Sequence, residues 1–201
     1  MSAMLQLLTG TGLAASAGMN AYIPLLAVGL LARYTDAVTL PAGWEWLSNG
    51  WVLGILAVLL LVELVADKVP AVDSVNDVLQ TAIRPTSGGL VFGAGSSADT
   101  LMVSDGLSSD RGWVLIAVGV VIALIVHALK ALTRPVLNAM TACLAAPLAS
   151  TIEDLTSATM SLVALLIPIL VIVFVPSLFL AFWWLLRRRR RRKAAAALSG
   201  S

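Results

Sequence analysis

The chain has 201 residues, 59% of them hydrophobic and 12% charged, with a mean hydropathy of +0.95. Soluble domains usually carry about a quarter charged residues, so this composition excludes a water-solvated globule and points to lipid as the solvent. With about 20 apolar residues needed to cross roughly 30 Å of hydrocarbon, the length allows about four to six helical spans and no separate soluble domain.

The formal net charge of +2 hides an asymmetry. Seven of the thirteen basic residues stand in one run, Arg187 to Lys193, which leaves six bases against eleven acids elsewhere. A basic run directly after an apolar helix is the positive-inside signal for a cytoplasmic C-terminus, and it offers a grip on anionic lipid heads. The run is short and lacks interleaved aromatics, so it is not read as a nucleic-acid arm. The organisation expected is one integral membrane domain over residues 1–186 and a basic cytoplasmic tail over 187–201.

In chain order, residues 1–11 are an uncharged lead without the basic start of a cleavable signal peptide. A first span is expected over 12–33, rich in small residues that let another backbone come close. Asn20 and Pro24 interrupt it, either as a tolerated kink with the amide bonded to a neighbouring helix or as opened backbone lining a polar site. A loop over 34–50 brings Trp44, Trp46 and, just beyond it, Trp51, which suit an interfacial aromatic belt.

A second span starts near Trp51 and stays apolar until it meets Glu63, Asp67 and Lys68. Glu63 and Asp67 are four apart and share one helix face. Pro70 then stops or kinks the helix. Asp73, Asp77 and Arg84 follow on one face of a short segment over 71–83, too short for a full crossing and ended by Pro85. Residues 86–110 read as a flexible Gly/Ser/Asp-rich connection. No P-loop lysine follows its glycines, so no nucleotide site is expected.

A third span over 113–131 ends in His127, Lys130 and Arg134, spaced along one face. Cys143, the single cysteine, rules out an internal disulfide and a cysteine-rich metal site. Thr151 with Glu153 and Asp154 reads as a capped helix start. A fourth span over 157–186 is expected to kink at Pro168 and Pro176 and to end in Trp183 and Trp184. The fold class is thus an all-α polytopic bundle with four full spans and short broken or re-entrant helices. Two internal echoes raise the prospect of an inverted repeat: Trp51-Val52-Leu53 with Trp113-Val114-Leu115, and SAGMN (16–20) with SATMS (157–161).

Three stretches, GLAASAGMNAYIPLLAVGLLAR, VELVADKVPAVDSVNDVLQTAIRP and HALKALTRPV, together resemble the bacterial membrane family called domain of unknown function 4126. The resemblance covers about residues 10–180 and leaves the Arg-rich tail outside. It implies a multi-pass protein of the bacterial cytoplasmic membrane and carries no activity or site roles.

Charged side chains at bilayer depth are costly and mark functional sites by default. The expected function is transport of an ion or small polar solute. The candidate site residues are Asn20, Glu63, Asp67, Lys68, Asp73, Asp77, Arg84, His127, Lys130, Arg134, Glu153 and Asp154. Glu63, Asp67, Asp73 and Asp77 could bind protons or a hard cation (Na⁺, Mg²⁺, Ca²⁺ or Mn²⁺), since carboxylates suit these better than soft metals. The bases would pair with those acids or hold an anionic solute. The bland alternative is a packing network with Glu63 and Asp67 opposite Lys130 and Arg134, and Asp77 paired with Arg84. A non-catalytic scaffold or lipid-handling subunit is the rival function; the small-residue face of the first span and the basic tail fit it, and a homo-oligomer is a further expected partner state. An enzyme is not expected: HExxH and GxSxG are absent, and a metal-dependent lipid head-group enzyme ranks last.

Overall fold

A computed structural model describes residues 3–40, 42–67, 70–97, 112–141 and 146–199. Among the described residues the chain forms seven α-helices and two short 3-10 helices, with no strand. The α-helices are α1 (Ala3–Met19), α2 (Tyr22–Tyr34), α3 (Gly50–Ala66), α4 (Pro70–Ser97), α5 (Gly112–Thr141), α6 (Ala146–Leu166) and α7 (Val171–Ser199). The 3-10 helices Glu45–Ser48 and Pro168–Leu170 precede α3 and α7.

The all-α expectation holds, and two of the four expected spans are each divided between two helices. By length and composition, two stretches among the described residues suffice to cross a bilayer: Trp113–Thr133 and Pro168–Leu185. The apolar run expected over 12–33 divides at Asn20, because the Asn20 side chain caps a new helix there. Its Oδ1 accepts from the backbone N–H of Tyr22 at 3.1 Å and of Ile23 at 3.2 Å. Pro24 then lies in the first turn of α2, where a missing N–H costs nothing. The run expected over 157–186 divides at Ile167, whose φ of −140° leaves the helix before Pro168. Pro176 stays inside α7, which carries on through the arginine run. The helix start expected at Thr151 is displaced: α6 begins at Ala146, and the Thr151 hydroxyl donates back to the Pro147 carbonyl at 2.8 Å.

The largest departure concerns residues 86–97. Instead of ending at Pro85, α4 continues through it to Ser97. Glycines that read as loop are the contact face of this helix. A methyl group at Gly88 would sit 2.3 Å from the Ala123 Cβ and 2.9 Å from the Gly119 carbonyl of α5. Gly119 in turn would meet the Gly88 carbonyl and the Phe92 side chain, both at 2.4 Å. Where neighbours come this close only glycine fits, and the approach compensates for its poor helix propensity. The remainder of the expected connection, and Cys143, lie outside the described residues.

Residue pairs fix the directions of the helices. Leu13 faces Gly95, and eight residues further on the Ala21 carbonyl accepts from the Ser87 hydroxyl, so α1 runs antiparallel to α4. Gly12 faces Ala164 while Asn20 bonds Asp154, so α1 is antiparallel to α6 as well. The small-residue half of α1 therefore does accept close neighbours: Gly12 lies against Ala164, and Gly18 against Ala123 of α5. Ser16 and Ser157 exchange bonds in both directions across the α1–α6 contact. Ser16 Oγ donates to the Ser157 carbonyl at 2.8 Å, and Ser157 Oγ to the Ser16 carbonyl at 3.1 Å.

The solvation pattern is inverted relative to a soluble protein. Ile55, Val58, Leu61, Val62 and Val65 stand exposed along α3, as do Val173, Leu180 and Trp183 along α7. Arg84, Lys130, Glu63, Asp67 and His127 are buried. Trp44 is not confined to a surface belt: its ring packs on Gly93 of α4, whereas Trp51 is exposed.

Candidate functional site

The buried charges converge halfway along α4 and α5, about 20 Å from the start of α4 at 1.5 Å per residue. Helix α3 delivers Glu63 in its last turn and Asp67 as its C-cap. Arg84 Nη2 lies 3.0 Å from Glu63 Oε1 and 3.9 Å from Asp67 Oδ2. Asp67 also accepts from Asn76 Nδ2 at 2.8 Å. Lys130 Nζ lies 3.5 Å from Asp67 Oδ2 and 2.8 Å from Glu153 Oε2, and donates to the Met19 carbonyl at 3.0 Å.

That last bond ties the network to the helix interruption. Met19 ends α1, and its carbonyl is among those a helix end leaves unsatisfied. The Lys130 ammonium takes it, while Asn20 caps α2 with its oxygen and donates through Nδ2 to Asp154 Oδ1 at 3.0 Å. Both sides of the break are thus satisfied by side chains. Tyr22, the first residue of α2, carries its phenol to Gln80, beside Glu63 and Arg84.

The hydrogen bonds fix the state of His127. Arg84 Nη1 stands 3.1 Å from Nδ1, and a guanidinium can only donate, so Nδ1 is the acceptor. The ring proton then sits on Nε2, directed at Thr81 Oγ1 at 3.2 Å, and the imidazole is neutral. Among the described side chains, four carboxylates (Glu63, Asp67, Glu153, Asp154) therefore meet two basic groups (Arg84, Lys130). Glu63 Oε2 and Gln80 Oε1 are buried acceptors with no hydrogen-bond partner among the described residues.

Of the twelve residues expected at a site, the structure brings eight together: Asn20, Glu63, Asp67, Arg84, His127, Lys130, Glu153 and Asp154. Lys68 and the side chains of Asp73, Asp77 and Arg134 lie outside the described residues. Arg84 is engaged by Glu63 and His127, and the expected Asp77–Arg84 pair falls on a side chain outside the described residues. Among the described residues no three His, Cys, Asp or Glu side chains are grouped to hold a metal ion. Sequence reasoning missed Asn76, Gln80 and Thr81. The signal was present: Asn76, Gln80 and Arg84 recur every four residues, one helical face.

The family model described as Domain of unknown function (DUF4126) matches residues 7–188. The chain belongs to that family. All the charged residues of the network lie inside the DUF4126 match, and the match extends into the start of the arginine run. No curated protein and no solved structure matches the chain.

Proposed function

We propose that this DUF4126 protein is an integral membrane transporter or channel-like protein for an ion or small polar solute, with the buried network as its binding or coupling site. The single observation that carries this reading is Lys130. One tethered ammonium is shared by Asp67, Glu153 and the carbonyl that ends α1. The C-terminal end of a half-helix is a cation-binding position in secondary transporters, and here a lysine sits in it. A proton or cation arriving at Asp67 or Glu153 competes with Lys130 for the same oxygens. Once displaced, Lys130 no longer holds the Met19 carbonyl, and the α1–α2 break is free to bend. The charge state of the site is in this way linked to a hinge.

The exposed apolar faces of α3 and α7 support placement in a bilayer, and the arginine run after Trp183 and Trp184 supports a cytoplasmic C-terminus. The reciprocal Ser16–Ser157 bonds join the SAGMN and SATMS stretches across an antiparallel pair, which supports an inverted relation between those two stretches.

Asp67→Asn tests the proposal, because the new amide oxygen can still accept from Asn76 while the charge is gone. Wild-type protein in vesicles is expected to pass protons or Na⁺ down an imposed gradient, read with an entrapped indicator dye. The variant is expected to lose at least 90% of that flux with unchanged helical content. Flux equal to wild type would remove Asp67 from the mechanism, and no wild-type flux of protons, Na⁺ or Mg²⁺ would remove the transport of these ions.

A further inference from the structure

We infer that the cleft between α6 and α7 seats one acyl chain of an anionic phospholipid, with the phosphate held where α7 enters the arginine run. This rests on the membrane placement proposed above and not on transport. The break at Ile167 turns the chain back, so Leu148 stands opposite Leu185 and Met160 opposite Phe174. Between the two helices lies a cavity of about 610 Å³. Ile152 and Thr156 line it from α6, Leu178 and Phe182 from α7, and Met19 and Thr133 close its floor.

Length and lining point to the occupant. Twelve helical positions make the cleft about 18 Å long, close to the roughly 15 Å depth of one leaflet of a bilayer with about 30 Å of hydrocarbon, and its walls are apolar along that length. A polar solute does not suit walls this apolar, and a cavity of such lining is a poor place for water. A hydrocarbon chain suits both its length and its chemistry.

Charge decides the head group. Glu153 is the one charged residue lining the cleft, and it is paired with Lys130 at 2.8 Å. At the Leu148–Leu185 end, α7 continues directly into Arg187 and the arginines after it. The Arg187 guanidinium lies 5.0 Å from the centre of the Trp183 ring. Guanidinium groups bind phosphate through charge-assisted hydrogen bonds, and juxtamembrane basic clusters attract anionic lipid. The acyl chain would lie along the edge of the Lys130–Glu153 pair and keep water from it.

The test uses full-length protein released in mild detergent and analysed by native mass spectrometry. One phosphatidylglycerol per chain is expected to survive extraction. In competition, phosphatidylcholine should displace it at no less than tenfold higher mole fraction. Ala149→Phe with Ala181→Phe fills the cleft and should abolish the retained lipid while helical content and elution volume stay unchanged. Changing Arg187, Arg188 and Arg189 together to Gln should leave a chain bound but erase the preference for phosphatidylglycerol. Equal retention by the filled variant, equal displacement by phosphatidylcholine, or loss of a dimer in place of a lipid would each overturn the inference. Should the filled variant not fold, the competition on wild type and on the arginine variant decides alone. No flux is read in these measurements, so their outcome stands apart from that of the transport assay.

Discussion

Lys130 holds three acceptors while only 1% exposed, which makes it the residue whose loss should cost most. Lys130→Met keeps the length of the side chain but leaves Asp67, Glu153 and the Met19 carbonyl without their shared donor. Breaking a buried ion pair from one side costs about 3–5 kcal/mol, and a loss of that size is expected in detergent unfolding. Adding Glu153→Gln to Lys130→Met should recover part of it, since one uncompensated charge is then gone. A double variant as unstable as the sum of the singles would mean that the pair does not interact. Much of this site was legible from residues alone. Glu63 and Asp67 at a spacing of four, and His127 and Lys130 at three, reach the network as their helix faces require. The amides did not stand out. Asn76 and Gln80 carry no charge, so nothing marks them as costly until the folded partner, Asp67 or Tyr22, is beside them.

At the level of elements, glycine and proline carried the ambiguity. The stretch 86–97 has the composition of a loop, and only the grooves of α1 and α5 show why it is helical. Two substitutions separate the uses of glycine. Gly88→Leu drives a side chain into Ala123 and the Gly119 carbonyl and should cost at least the roughly 1–3 kcal/mol of an overpacked contact. Gly54→Ala on α3 meets nothing within 4 Å and should stabilise by about 0.5–1 kcal/mol through helix propensity alone. Chemical denaturation of both variants in detergent checks the contrast, and similar stabilities would deny the α4–α5 approach. Proline was ambiguous for a comparable reason. Pro24 starts a helix because Asn20 caps it, Pro168 follows a break, and Pro85 and Pro176 are carried inside continuous helices. Their effect depends on whether a neighbour supplies the missing bonds, and such neighbours are distant in sequence.

Across the whole molecule, greasy surface outside and ionic groups inside were legible from composition, whereas the number of crossings was not. An apolar run is counted as a span by its length, but Asn20 and Ile167 cut two of the runs at points where the backbone finds other partners. Orientation can be measured directly. A fluorescent protein fused after Ser201 should light up in bacterial cells, and alkaline phosphatase at the same place should stay inactive; the reverse would invert the topology. Replacing Arg187–Lys193 by glutamine should weaken that bias. The serine exchange between α1 and α6 has a mechanical corollary. Two hydroxyls that each grip the other helix's carbonyl act like a pair of interlocked fingers, so sliding one rod along the other must release both holds together. Those two rods should then travel as a unit, with flexing concentrated at the short joint just past Met19 and α2 swinging about it.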